Sequence, residues 1–182
     1  MSDNLTRIGK FLSLVLRHRP EAIGLQLDSQ GWVPVDQLIR HANDRGRQLS
    51  LEVVLEVVAK NEKKRFALSE DGLMIRANQG HSIAHVDLGL ASQPPPQILF
   101  HGTVATFLDS IREHGLKKRS RNHVHLSVDS VTATRVGARR GKPILLTVQS
   151  RAMHDAGHLF YLSDNGVWLT EHVPPAFLIF PG

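Results

Sequence analysis

The run Arg121-Asn122-His123-Val124-His125-Leu126-Ser127 alternates polar with apolar residues. As a strand of period two it puts Arg121, His123, His125 and Ser127 on one face and Val124 and Leu126 on the other, leaving one face to anchor and one for chemistry. A cation, two imidazoles and a hydroxyl in a row suit an anion, phosphate first. Leu99-Phe100-His101-Gly102-Thr103 reads as an apolar strand ending on groups that bond ribose hydroxyls or an amide. Its glycine lets a ligand or another backbone come close. Ser163-Asp164-Asn165-Gly166-Val167-Trp168-Leu169-Thr170 carries an Asn-Gly hairpin signal, with Trp168 better suited to a core than to a stacking platform. Cations and imidazoles gather again at Leu16-Arg17-His18-Arg19-Pro20, at Lys63-Lys64-Arg65-Phe66 and at Arg76-Ala77-Asn78-Gln79-Gly80-His81-Ser82. His123 and His125 have the spacing of a metal pair, but no carboxylate or thiolate lies close in sequence to complete a ligand set, so no metal is expected.

These residues need elements to position them. Ile8, Phe11, Leu12, Val15 and Leu16 follow helical spacing, which predicts an amphipathic first helix stopped before Pro20, with Arg17, His18 and Arg19 at its end. A second helix is expected over Val35 to Ala42. A third follows Ser50 as N-cap, with Leu51, Val54, Leu55 and Val58 as its apolar face. Arg65 to Leu68 and Leu73 to Ala77, joined by Ser69-Glu70-Asp71-Gly72, predict a β-hairpin, so the first lobe has a winged-helix layout. Reading of DNA by the third helix is disfavoured, because that helix carries Glu52 and Glu56 and no basic residue before Lys60. Residues 93–97, Gln93-Pro94-Pro95-Pro96-Gln97, make the best linker, dividing the chain into lobes 1–92 and 98–182. In the second lobe strands are expected at Ile98 to His101, His123 to Leu126, Ile144 to Val148, Leu159 to Leu162, Val167 to Leu169 and Phe177 to Phe180, and helices at Val104 to His114 and Ser130 to Ala138. The fold class is therefore α+β, with a mainly antiparallel sheet in the second lobe.

The chain has 182 residues, an apolar fraction of 41%, a net charge of +5 and no cysteine. It is expected to be globular, without a disulfide framework or thiolate zinc site, and to work in the cytoplasm. Neither a basic leader nor a membrane-spanning stretch is expected from its start or its apolar runs. The positive charge is concentrated between Arg112 and Lys142, against only Glu113 and Asp129, which suggests a polyanionic partner.

The three second-lobe segments together resemble the dinucleotide pocket of the ADP-ribosyltransferase superfamily. Seven motifs in order extend the likeness over nearly the whole chain: L-R-H, K-x-R-F, R-A-N-Q-G-H-S, H-G-T, R-x-H-V-H-L-S, G-x-R-x-G-K-P and N-G-V-W-L-T. In this set the chain is similar to the RNA 2′-phosphotransferase family of the KptA type. The resemblance implies an enzyme that consumes NAD+ as co-substrate, without metal, to remove an internal 2′-phosphate from RNA of the kind left at tRNA splice junctions. It implies catalytic roles for Arg17, His18, Arg65 and Arg121, with Arg119 the alternative to Arg121. His101, Gly102, Thr103, His125, Leu126, Ser127 and Val167 would line the NAD+ pocket, and Arg76, Gln79, His81 and Arg139 would touch RNA. Val167 stands where many ADP-ribosyltransferases carry a glutamate. A phosphomonoester with a second pKa of about 6 is already an ionised nucleophile and has no need of that base.

Two other readings compete. His101-Gly102-Thr103 and His125-Leu126-Ser127 also resemble the paired signatures of metal-free 2H phosphoesterases, which act on cyclic phosphates, but that reading leaves the first-lobe motifs unexplained. A non-enzymatic winged-helix nucleic-acid-binding protein is the other. His123 has no assigned role, and a monomer is expected.

Overall fold

Every named strand pairing in this protein is antiparallel. Together with the helices this makes an α+β fold. The computed structural model describes residues 3–181. The chain divides into two units, Met1–Gly89 and Leu90–Gly182.

In the first unit, α1 (Asp3–Arg17) buries Leu5, Leu12, Val15 and Leu16. A 3-10 turn, Pro20–Ile23, follows where Pro20 cannot continue the helix. Next come β1 (Val33–Pro34), α2 (Val35–Asn43), α3 (Leu51–Ala59), β2 (Phe66–Leu68) and β3 (Met74–Ala77). The Ser50 side chain accepts from the Val53 N–H at 3.4 Å and caps α3. The three strands form one sheet in the order β1-β3-β2. The hairpin and helices lie where the sequence predicts them, whereas the apolar face assigned to α3 holds at Val54 and Val58 but not at Leu51 and Leu55. Val54 and Val57 are 0% exposed, while Leu51 and Leu55 are 46% and 40% exposed. The stretch Leu51–Ala59 is apolar on nearly every side, so periodicity alone permits a face turned by one residue.

The second unit contains β4 (Leu99–Val104), α4 (Leu108–His114), β5 (Leu116–Lys117), β6 (Val124–Leu126), α5 (Ser130–Gly137), β7 (Pro143–Val148), α6 (Ser150–Asp155), β8 (Tyr161–Leu162), β9 (Trp168–Thr170), β10 (His172–Val173) and β11 (Leu178–Ile179). Three sheets result, with orders β11-β7-β4, β6-β9-β8 and β10-β5. Phe100 and Ser127 exchange backbone hydrogen bonds of 2.8 and 2.9 Å, which tie β4 to the end of β6. The expected helix from Val104 begins later, because β4 runs on through Val104 and a 3-10 turn, Ala105–Phe107, precedes α4.

The stretch read as a linker belongs by its bonds to the second unit. Ser92 bridges to Tyr161, the Gln93 N–H donates to the Phe160 carbonyl at 2.9 Å, and the Ser150 hydroxyl donates to the Pro96 carbonyl at 2.7 Å. Pro95 is buried. Polyproline backbone has no internal hydrogen bonds, so its carbonyls are open to such partners.

Gly102 answers the question of ligand or backbone with backbone. A Cβ there would lie 1.9 Å from the Ala133 carbonyl oxygen of α5, and one on Gly137 would lie 3.0 Å from the Gly102 carbonyl carbon. Helix α5 therefore crosses β4 at the closest approach that two glycines allow. We predict that Gly102→Ala lowers stability by about 3 kcal/mol or more, the upper end for overpacking. Gly46→Ala, with φ +76 and no atom within 4 Å of the added carbon, should lose only about 1 kcal/mol to left-handed strain. Urea denaturation of both variants checks this, and equal losses would contradict the packing account.

Candidate active site

In the first unit Arg17, His18, Arg76 and His81 lie within electrostatic reach of one another near the end of α1, and the backbone of Arg65 joins them. The Arg17 guanidinium Nη2 donates to the Arg65 carbonyl at 3.2 Å, which links the two arginines through backbone. The same carbonyl accepts the Asn78 N–H at 2.9 Å. Lys64 adopts a left-handed φ of 41, and two buried asparagines hold the turn around it. The Asn78 Nδ2 donates to the Lys64 carbonyl at 2.7 Å, and the Asn61 Oδ1 accepts from the Arg65 N–H at 3.3 Å. His18 is exposed, and its Nδ1 lies 2.9 Å from the Ser82 hydroxyl, while the Ser82 N–H donates to the Arg17 carbonyl at 2.9 Å. Arg76 lies over the Trp32 ring, 4.5 Å from its centroid.

Asn61, Asn78, Ser82 and Trp32 were not among the expected site residues. Asn78 and Ser82 sit inside the R-A-N-Q-G-H-S motif and Asn61 just ahead of the basic turn, so position within a motif was the available signal. Gln79 is half-buried in this region. His81, expected to touch substrate, is 2% exposed. Burial, then the charges of Arg17, His18 and Arg76, pull its pKa down to about 4. It is a neutral residue inside the unit, packed so closely that a Cβ on Gly31 would sit 3.2 Å from its Nε2.

In the second unit the strand of alternating residues is shorter than expected. Only Val124–Leu126 is extended in a ladder, with Val124 and Leu126 buried and His125 half-buried opposite Leu169. Arg121 lies before the strand, in a turn where its N–H donates to the Lys118 carbonyl at 3.1 Å. It still meets a residue expected on the same face, with its Nη1 3.3 Å from the His125 Nδ1. Guanidinium only donates, so the His125 Nδ1 accepts and the ring proton sits on Nε2. His123 departs from the row, packing edge-on against Tyr161 with ring centroids 5.6 Å apart.

The His101 Nδ1 donates to the His125 carbonyl at 3.0 Å. A carbonyl cannot donate, so the proton is on Nδ1 and Nε2 presents a lone pair. Burial lowers the His101 pKa, the bond to His125 opposes that shift, and Arg121 and Arg140 reinforce it. The pair is thus complementary, with an acceptor on His101 and a donor on the buried Nε2 of His125, the two kinds of group that ribose hydroxyls can bond. Burial, then Arg140 and Arg139, also lower the Arg121 pKa, which places those cations around it. Arg119 instead lies over Phe107, 4.4 Å from the ring centroid, so of the two alternatives it is Arg121 that joins the histidines.

The other expected pocket residues lie in or beside the core. Leu126 is in the core, Thr103 is buried and Gly102 lies under α5. Val167 precedes β9, and its N–H and carbonyl both bond Ser163, at 3.1 and 3.0 Å to the hydroxyl and N–H respectively. Since Leu126 pairs with Trp168, Val167 falls at the Ser127 end of the β6–β9 ladder. Among the described residues no three His, Cys, Asp or Glu side chains gather as a metal site, and no helix is long and apolar enough to cross a membrane.

A sequence model of the RNA 2′-phosphotransferase, Tpt1/KptA family matches residues 3–172. The chain is 62% identical over 177 residues to a probable RNA 2′-phosphotransferase of Rhodopirellula baltica, covering 97% of this chain and 96% of the relative. It is 54% identical over 181 residues to a probable RNA 2′-phosphotransferase of Flavobacterium johnsoniae, covering 99% of each. With one from Pseudomonas aeruginosa the identity is 57% over 169 residues, or 93% of each chain.

The buried His81 gives acid sensitivity with a defined sign. Unfolded, its imidazole titrates near 6.5, and folded it titrates at about 4. Between those values the unfolded chain binds the proton and the folded chain does not, so stability rises with pH across that window. The loss on acidifying from above 6.5 to 4 is on the order of 3 kcal/mol. Urea denaturation at pH 7 and pH 4 should show a smaller acid loss for His81→Gln than for the parent. The same loss in both would show that His81 titrates normally.

Proposed function

The chain belongs to the RNA 2′-phosphotransferase, Tpt1/KptA family, and from that premise we propose that it removes an internal 2′-phosphate from RNA at the expense of NAD+. The proposal rests chiefly on the hydrogen-bonded chain Arg121–His125–His101, which combines a cation with two imidazoles whose proton positions are complementary. In the second unit, described here as ADP-ribosyltransferase-like, His101 and His125 bind the nicotinamide ribose, with Ser127 and Val167 beside them. In the first unit, of winged-helix type, Arg17, His18 and Arg65 bind the RNA phosphate. No metal takes part.

The chemistry follows from charge. The 2′-phosphate dianion attacks C1″ of the nicotinamide ribose, and the C1″–N bond breaks with nicotinamide leaving as a neutral molecule. The ribose 2″-hydroxyl then attacks phosphorus and loses its proton to solvent, the bond from phosphorus to the RNA 2′-oxygen breaks, and that oxygen takes up a proton. The products are 2′-hydroxyl RNA and ADP-ribose 1″,2″-cyclic phosphate. The first step needs no base, since its nucleophile is ionised at neutral pH. The second needs guanidinium donors on the phosphoryl oxygens and a proton for the leaving oxygen. Each unit offers such donors, Arg17 and Arg65 in the first and Arg121 in the second. His18, exposed and held by Ser82, supplies the proton.

Incubation of 2′-phosphorylated RNA with and without NAD+ tests the reading, with nicotinamide release and loss of the 2′-phosphate expected only when NAD+ is present. Opening of a 2′,3′-cyclic phosphate without NAD+ would support the phosphoesterase reading instead. Arg65→Ala and His18→Ala should each slow the second step by about 3 kcal/mol, roughly a hundredfold, so that ADP-ribosylated RNA accumulates. Product release at the parental rate by both variants would remove these residues from catalysis.

A further inference from the structure

The cations of the second unit fall into two groups. Arg112 pairs with Asp109 at 3.5 Å, and Lys118 with Glu171 at 2.9 Å. By contrast, among the described residues no carboxylate lies in ion-pair range of Arg119, Arg121, Arg139 or Arg140. Arg139 and Arg140 lie close enough to Arg121 for their charges to help lower its pKa. Like charges gathered without counterions oppose folding, so their placement calls for a compensating ligand.

An aromatic ring holds two of them. The Arg119 guanidinium carbon lies 4.4 Å, and that of Arg140 5.8 Å, from the centroid of the Phe107 ring. Phe107 packs against the core of the unit, which makes the platform rigid. Arg119 reaches it from a left-handed backbone at φ 53, a conformation that disfavours a non-glycine residue. A cation–π contact uses none of the five guanidinium N–H donors. Both arginines are therefore oriented by the ring while their hydrogen-bonding edges stay available to an anion.

We infer that Arg119 and Arg140, mounted on Phe107, form a docking strip for the phosphodiester backbone of the substrate RNA beside its 2′-phosphate. The inference rests on the proposed function, which counts Arg121 among the donors to the transferred phosphate. A 2′-phosphate is a branch on a polyanion, so strand phosphates necessarily continue away from it. Phe107 and Arg140 lie beyond the end of the β4–β7 ladder marked by Val104 and Pro143, whereas His101 pairs further in, with Leu146. The strip thus extends outward from the paired histidines, as a strand leaving the site would. The NAD+ pyrophosphate is the competing anion, and the test separates the two.

The full chain is assayed at saturating NAD+ on two RNAs with an internal 2′-phosphate, a dinucleotide and an oligomer of about ten nucleotides, long enough for a single-strand site. Arg119→Gln/Arg140→Gln should raise KM for the oligomer about tenfold and leave kcat, the NAD+ KM and dinucleotide turnover close to parental. The dependence of oligomer affinity on the logarithm of salt concentration should flatten by about 0.7 for each lost contact, or about 1.4 in all. Arg119→Lys/Arg140→Lys, which keeps the charge, should retain most of the parental slope. A raised KM for NAD+ would move the strip to the pyrophosphate. Equal loss on both RNAs, or an unchanged oligomer KM and slope, would also overturn the inference. Oligomer titration without NAD+ measures the strip separately, so an enzyme that releases no nicotinamide but shows the salt effect refutes the NAD+ reading alone.

Discussion

Arginines that are to bind an anion have to be held in place without being neutralised. The Arg121–His125 contact and the two guanidiniums on Phe107 are variations on one solution. Imidazoles and aromatic faces orient a guanidinium while leaving its charge intact, which a carboxylate would not do. The cost is like-charge repulsion in the unligated protein, and it explains why these side chains depend on so much supporting structure. Around Lys64 that support is two buried asparagines; around Arg119 it is a left-handed backbone and a ring fixed in the core.

The same concentration of charge sets the histidines. His81 and His101 lose their protons to burial and to nearby arginines. His81 thereby becomes an uncharged packing piece behind Arg17 and His18. His101 becomes an oriented acceptor, because its only proton is committed to the His125 carbonyl. His125, whose Nδ1 accepts from Arg121, is left with a donor. A cationic environment thus sorts chemically identical side chains into different hydrogen-bonding roles, with no acidic residue needed to fix their tautomers.

Much of this was legible in the sequence wherever a local rule governs. Ser50 caps α3 as its side chain requires, and Pro20 ends α1. The motif residues Arg17, His18 and Arg65 meet in one unit, as do His101, Arg121 and His125 in the other. The misses have tertiary causes. Period alone could not choose which face of the apolar helix α3 to bury, and the choice fell on Val54 and Val57. The two-residue strands β1, β5 and β10 are too short to carry an alternation, and exist because a partner strand supplies their bonds. Gly102 gave a correct warning of close approach, but nothing local identified the approaching atom as the Ala133 carbonyl of α5. Arg119 and Arg121 share residue type and neighbourhood, and only the position of Phe107 distinguishes them.

Val167 shows how the charge constraint bears on chemistry. Its backbone is fastened at both N–H and carbonyl by Ser163, so the position is as well fixed as a catalytic side chain would need. The side chain there is nevertheless apolar. In the proposed reaction the nucleophile is an anion that arrives already ionised, and a carboxylate at this end of β9, on the strand paired with the one that carries His125, would repel it. It would also offer Arg119, Arg121, Arg139 and Arg140 an internal counterion, in competition with the RNA phosphates. In the proposed reaction, a neutral residue at position 167 and, among the described residues, the lack of a carboxylate in ion-pair range of those four arginines follow from one requirement, that negative charge at the site be brought by the substrate.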